Sequence, residues 1–294
     1  MKTAFILLVA LYLIILSGCQ RQSAPTVWPT TQEQAAPGFL LETDHFSIFS
    51  TGDRALTTQT GLAAEHLFDA YADVVALNEP RTLAGKMRLR LFADRAEFKA
   101  NNKSHGWAEG YYYQGICYAY LDASPPNPHH WMLHETVHQI NREYTGFAKQ
   151  KWLNEGLASY LGSSRLVEGR LLPGELDPNA YPLWWLRQWE LSGNWEDDVK
   201  HYRVIALRVL LTGEGGPALS DAINAYYLGY WSLTHFLLHY KDGQYAAAYR
   251  QMLRTGGTVA DFEQSIGPLD RIQVQWYGYL QDQVAKQGGS APKR

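Results

Sequence analysis

Residues 131–160 read WMLHETVHQINREYTGFAKQKWLNEGLASY, and the way this stretch folds decides how the rest of the chain is read. Within it, His134-Glu135-Thr136-Val137-His138 forms an H-E-x-x-H motif. Four residues turn a helix by about 400°, so the two histidines lie about 40° apart on one face and one turn apart. Both imidazoles can therefore reach one metal ion, and Glu135, beside that face, can touch a water held by it. Leu133, Val137, Ile140 and Tyr144 form an apolar stripe that gives this helix a face to bury. Seventeen residues after His138 comes Glu155, in the run WLNEGLASY. A turn over residues 144–150, with Gly146 inside it, lets a second helix return and present Glu155 to the same ion. Two histidines, one glutamate and a water make an open tetrahedral zinc site.

Upstream of this helix pair the chain mixes strands and helices. HFSIFS (residues 45–50) reads as a strand and GLAAEHLFDAYADVVAL (residues 61–77) as a helix. KMRLRLFA (residues 86–93) alternates Met87, Leu89 and Leu91 with Arg88 and Arg90, the pattern of a half-buried strand. Asp94 opens a short helix. GYYYQGICYAYLD (residues 110–122), broken by Gly115, is a hairpin or a bulged edge strand. From Trp131 onward the pattern is helical, apart from a Pro- and Trp-rich stretch around residues 172–200. The fold class is α+β: an N-terminal mixed sheet with helices, the metal-site helix pair, and a C-terminal helical half. His129 and His130 read as a surface loop, and Cys117 as a buried strand residue.

Both ends of the chain differ from its middle. Lys2 precedes an apolar run of 13 residues, 4–16, which ends in Leu16-Ser17-Gly18-Cys19. A spanning helix needs about 20 residues, so the run fits a signal peptide. LSGC resembles a bacterial lipobox. The resemblance implies removal of residues 1–18, lipidation of Cys19 and attachment to the cell envelope; with Gln20 next, it implies the outer membrane, facing the periplasm. Acyl chains on one cysteine would anchor the protein without a spanning helix. Residues 19–40 then serve as anchor and tether, in which residues 20–37 (QRQSAPTVWPTTQEQAAP) would reach ~60 Å if fully extended. Residues 41–285 form the main domain, a sheet half over 41–125 and a helical half over 126–285. Residues 286–294 (KQGGSAPKR) read as a loose tail.

Composition excludes several classes. The 294 residues carry 26 Lys+Arg against 29 Asp+Glu, a net charge of -3 without the basic surplus of a nucleic-acid binder. Two cysteines are too few for a disulfide scaffold or a thiolate zinc finger. Ten Trp and 19 Tyr serve as core or line a groove.

HExxH followed by NEGxA resembles the gluzincin zinc metallopeptidases. The wider layout is similar to peptidase-MA-like domains of bacterial proteins: LFADRAEF, a GYY strand, LHETVHQ, WLNEGLASY and a later helix, YLGYWSLTHFLLH, at residues 227–239. The resemblance covers about residues 44–285. It implies a Zn²⁺ cofactor held by His134, His138 and Glu155, with Glu135 as the general base. It also implies a Tyr or His donor near the developing oxyanion, for which the later helix offers tyrosines. Tyr226, Tyr227 and Tyr230 are the candidates. The HFLLH register favours Tyr227, and a Y-x-x-G register favours Tyr226. Ser159 stands where thermolysin-like members carry a carboxylate, a departure that weakens any supporting role there. An edge strand over residues 110–120 would pair with an extended substrate backbone. Residues 107–110 (WAEG) are too faint an echo of the exopeptidase signature G-A-M-E-N to imply aminopeptidase action. The function implied is hydrolysis of peptide bonds in a peptide or protein substrate by an envelope-tethered zinc peptidase. The alternatives are hydrolysis of another amide, as in cell-wall peptides, and a non-catalytic, zinc-containing lipoprotein acting as an assembly or binding module.

Overall fold

The computed structural model describes residues 37–77, 85–122, 129–147, 149–168 and 170–290. The signal sequence, Cys19 and nearly all of the tether lie outside the described residues, as do residues 291–294.

The first half builds one sheet. Strands β1 (Phe39–Glu42) and β2 (Phe46–Ser50) lead into helix α1 (Arg54–Val75), then strand β3 (Met87–Phe92) and helix α2 (Arg95–Asn101). A hairpin follows, β4 (Tyr111–Tyr113) and β5 (Ile116–Tyr120). Spatial order is β1-β2-β3-β5-β4; the inner pairs β2/β3 and β3/β5 are parallel, and both outer pairs are antiparallel. Parallel pairing needs a crossover, and α1 and the segment carrying α2 provide the two required. Met87, Leu89 and Leu91 are buried, as their alternation predicts, and join the main core with α1. Arg90 lies on the other face, its guanidinium 4.2 Å from the ring centre of Phe49. On that face Phe98 of α2 packs with Phe92 and Tyr111 in a smaller core.

Helix α1 starts seven residues before the Gly61 expected from sequence, because Asp53 caps it by accepting from the Leu56 N–H at 2.8 Å. Asp94 caps α2 in the same way. The hairpin reading of residues 110–122 holds, with Gly115 at φ 79° in the turn.

The second half begins with α3 (His130–Gln139), a π-helical turn (Ile140–Thr145) and α4 (Lys151–Gly162). A two-stranded antiparallel ribbon, β6 (Ser164–Val167) and β7 (Arg170–Leu176), stands where the sequence reads as the end of a helical stretch running into the Pro- and Trp-rich one near residue 172. A 3-10 turn (Leu183–Gln188) follows, then α5 (Trp195–Lys200), α6 (Leu207–Thr212), α7 (Ile223–His239), α8 (Ala246–Thr255), α9 (Val259–Ser265) and α10 (Leu269–Lys286). Residues 225–238 of α7 are buried apart from Tyr227, so its apolar character on every side reflects a position at the centre of the domain. Two of the three fully buried indoles keep their N–H groups bonded: Trp152 donates to the Gly257 carbonyl at 2.9 Å and Trp276 to Ser232 Oγ at 3.1 Å, whereas the Trp231 N–H has no hydrogen-bond partner among the described residues.

Three expectations are corrected. His129 and His130 are not a surface loop: His129 is buried, and His130 starts α3 with its ring 4.5 Å from that of Trp131. Residues 286–290 are not loose, since Ser290 pairs with Glu190 and its N–H donates to the Trp189 carbonyl at 3.0 Å. The tether ends before residue 40, because Phe39 and Leu40 already belong to β1. Cys117 is buried in β5 as read.

Candidate metal centre

Helices α3 and α4 lie side by side and carry the motif residues. The close approach depends on glycine: a methyl group at Gly162 would lie 3.1 Å from the backbone N, Cα and Cβ of His134. The buried side of α3 and the π-helical turn after it includes the stripe of Leu133, Val137, Ile140 and Tyr144. His134 and His138 emerge together one turn apart, their Nε2 atoms 3.1 Å from each other.

His134, Glu135 and His138 each bring a donor atom within 4.8 Å of the others, so this group could hold a metal ion. From α4, Glu155 comes nearer to both rings, with Oε2 3.5 Å from His134 Nε2 and 3.6 Å from His138 Nε2. Both distances are too long for good hydrogen bonds, and this buried carboxylate oxygen has no hydrogen-bond partner among the described residues. A tetrahedral ion with bonds of about 2.1 Å holds its donors about 3.4 Å apart. The separations of 3.1, 3.5 and 3.6 Å bracket that value. The residues present therefore fit a metal ion.

The electrostatics agree. Burial acts to raise the Glu155 carboxyl, but His138 and His134 outweigh it and hold it well below the usual carboxylate range. Burial acts against a charged His138, but Glu155, then Glu135, outweigh it and raise the imidazole above its ordinary value. The half-buried Glu155 carboxylate between two imidazoles favours a cation, whether a proton on His138 or a metal ion among the three.

A cavity of about 280 Å³ opens beside these donors. His134 and Glu135 line one wall, and Trp131, Tyr181, Trp184 and Tyr227 line the others. The aromatic walls pack on one another, with ring centres 5.4 Å apart for Trp131 and Tyr181 and 5.3 Å for Tyr181 and Tyr227. Trp107 stands at the rim, 60% exposed.

The three tyrosines of α7 separate clearly. Tyr227 lines the cavity, with its ring centre 6.1 Å from that of His134. Burial, then the charge of Glu155, pushes its phenol far up, so it keeps its proton. Tyr226 donates instead to the Pro217 carbonyl at 2.9 Å. Tyr230 is buried and packs against both neighbours. Ser159 is fully buried, and its hydroxyl has no hydrogen-bond partner among the described residues.

Sequence reasoning did not single out Trp131, Tyr181 or Trp184 as cavity walls, nor Asn141 and Asn154 near the donors. Asn141 carries a signal: it lies seven residues after His134 and three after His138, on the same helical face.

A family model described as "Protein of unknown function (DUF1570)" matches residues 131–255. That span runs from α3 to α8 and contains His134, Glu135, His138, Glu155 and Tyr227. No curated protein matches the chain.

Proposed function

We propose that the protein is a zinc-dependent peptidase, gluzincin-like in its site, that acts from the cell envelope through a lipid on Cys19. The observation that carries this reading is the donor triangle of His134, His138 and Glu155 with Glu135 left over, on the wall of a cavity. A purely structural site needs no free carboxylate beside it, and two imidazoles with one carboxylate suit zinc with an open position.

The ion, when bound, supplies Lewis acidity, making nearby water easier to deprotonate and a carbonyl easier to attack. Glu135 accepts a proton at a carboxylate oxygen and delivers it to the departing amine. The Tyr227 hydroxyl donates a hydrogen bond to the oxygen of the attacked carbonyl, where negative charge grows. Among the described residues strand β4 lies at the end of the sheet with β5 as its one neighbour, so its outer edge offers backbone groups to an extended peptide. The aromatic cavity takes an apolar side chain of that peptide and excludes water around the reacting bond.

Among the described residues no helix is long and apolar enough to cross a membrane. Attachment therefore rests on the lipobox-like LSGC ending at Cys19, tested by fatty-acid labelling of wild type and Cys19→Ala. The enzymatic reading is tested by metal analysis with digestion of a peptide library, comparing wild type with Glu135→Gln. One zinc per chain in both proteins, with cleavage by wild type and a loss of at least about 10²-fold in the variant, is expected. Zinc in both with no cleavage by either would favour the non-catalytic alternative, and no zinc in wild type would end both.

A further inference from the structure

Charge is scarce on the walls of the cavity beside the donors. Two carboxylates line it, Glu109 and Glu135, and among the described residues no lysine or arginine does. Glu135 has the proposed role of base, and the charge of Glu109 is already matched. Arg95 donates to it twice, Nε to Oε2 at 2.7 Å and Nη2 to Oε1 at 2.6 Å. Lys99 Nζ lies 2.9 Å from Oε1, and the Tyr120 hydroxyl donates to Oε2 at 3.1 Å. The free ammonium of a peptide end entering this cavity would lose its water and find no unmatched carboxylate except the base. A free terminal carboxylate would find no basic side chain. The cavity therefore suits a stretch of chain without its ends.

The backbone after Glu109 carries the site in two directions. A methyl group at Gly110 would lie 2.9 Å from Cγ of Glu135, so the chain passes directly against the base there. Strand β4 begins at the next residue, and its outer edge is the one offered to an extended peptide. On the other side of Gly110, Trp107 is three residues back, a reach of up to about 10 Å. Its backbone is clamped, since Lys99 Nζ donates to the carbonyls on either side of it, Gly106 at 3.1 Å and Ala108 at 2.6 Å. The indole stacks on His105, with ring centres 5.5 Å apart and planes within 2° of parallel. Trp107 is nevertheless exposed, so a fixed ring presents an open face at the cavity rim. A ring held this way loses little freedom on binding, which suits it to a substrate contact. We propose that the site cleaves internal bonds of a peptide chain, which lies along β4 on one side of the reacting bond and across Trp107 on the other. The inference rests on the peptidase reading, and it makes Trp107 a specificity-determining residue.

The test uses the full zinc-loaded protein and octapeptides taken in two forms, with free ends and with acetyl and amide caps. Both forms should be cut at the same internal bond with similar kcat/KM, because neither terminal charge has a partner in the site. Capped peptides are then shortened from each end in turn. Loss of the residue that reaches Trp107 should lower kcat/KM by about 2- to 10-fold, the worth of one aromatic contact. Trp107→Ala should cut the long peptide less well by the same factor, and should no longer distinguish it from the peptide shortened on that side. The residue is exposed, so zinc content and melting temperature should match those of wild type. Release of terminal residues one at a time, with capped peptides resistant, would overturn internal cleavage. A Trp107→Ala protein that favours the longer peptide as strongly as wild type does would overturn the contact across Trp107. A wild type that cuts neither capped nor free peptides overturns the peptidase reading itself, a result distinct from the first two.

Discussion

Replacing Gly162 by alanine tests how tightly the two motif helices must pack. The new methyl carbon would lie 3.1 Å from N, Cα and Cβ of His134. Ordinary contacts between carbon atoms run about 3.5–4.0 Å, so the added group is short of room by about half an ångström. The opposing atoms are the backbone and first side-chain carbon of a helix, and no rotamer change moves them. The helices must part instead. Overpacking of this kind costs about 1–3 kcal/mol. Alanine returns about 0.5–1 kcal/mol relative to glycine within a helix. The net loss centres on about 1 kcal/mol (about 0–2.5), and each kcal/mol lowers Tm by about 2–4 °C in a domain of this size. The metal should feel it more. His134 Nε2 and Glu155 Oε2 sit on opposite helices, 3.5 Å apart. Parting by half an ångström uses up the roughly 0.5 Å of tolerance a binding constellation has. Zn²⁺ affinity should fall about 10-fold or more, measured by chelator competition, alongside melting curves with and without EDTA. Gly106→Ala is the control, since nothing lies within 4 Å of a methyl group there. If Gly162→Ala melts and binds Zn²⁺ as Gly106→Ala does, the packing argument is refuted.

The other predictions concern the donors, the phenol and acid. His134→Ala/His138→Ala should contain no zinc by elemental analysis, and full occupancy would remove these residues from the centre. Tyr227→Phe should lower kcat about 10²-fold with little change in KM, whereas Tyr226→Phe, whose hydroxyl is committed to Pro217, should be silent in the same assay. The opposite pattern would place the donor at Tyr226. Burial holds His235 and His129 down to about 4 in the folded protein, while an unfolded imidazole titrates near about 6.5. Unfolding therefore takes up protons between those values, and each histidine destabilises the fold by up to about 1.4 kcal/mol per pH unit as pH falls from about 6.5 to about 4. Above that window neither contributes. His235→Asn should release about one proton fewer per molecule on refolding in that window, read from urea melts at a series of pH values; equal slopes would contradict it.

The four motif residues were legible because their geometry is local. His134, Glu135 and His138 follow from one turn of helix, and Glu155 from one reversal. The same locality explains the N-caps at Asp94 and the hairpin around Gly115. The start of α1 was hidden because Thr57, Thr58 and Thr60 disfavour helix by propensity. In the fold their hydroxyls bond back to the carbonyls of Asp53, Arg54 and Leu56, which accommodates them. The β6–β7 ribbon was hidden by Pro173 and Gly174, which read as loop. Gly174 is needed there: it adopts φ 86°, and a methyl group would lie 2.5 Å from the His239 ring. The cavity walls were the least visible part. Trp131, the Tyr181–Trp184 segment and Tyr227 are far apart in the chain and show no common period, so tertiary packing alone brings these three parts together. The choice among three tyrosines fell to contacts that no register specifies, above all the Tyr226 bond to Pro217.

The donors at residues 134, 138 and 155 belong to consecutive helices joined by a short reversal, whereas the cavity draws on segments before and well after them. Closing the short loop that joins the donors costs little chain entropy, while closing the cavity requires contacts distant in sequence. During synthesis and refolding, the hairpin that carries the candidate donors can therefore form before α7 is in place. On the proposed reading, metal loading and substrate selection would then be separate events in time. A preparation with full metal content could still consist of chains whose cleft has not assembled. Metal stoichiometry would count hairpins, and only a probe seated between Trp131 and Tyr227 would count finished molecules.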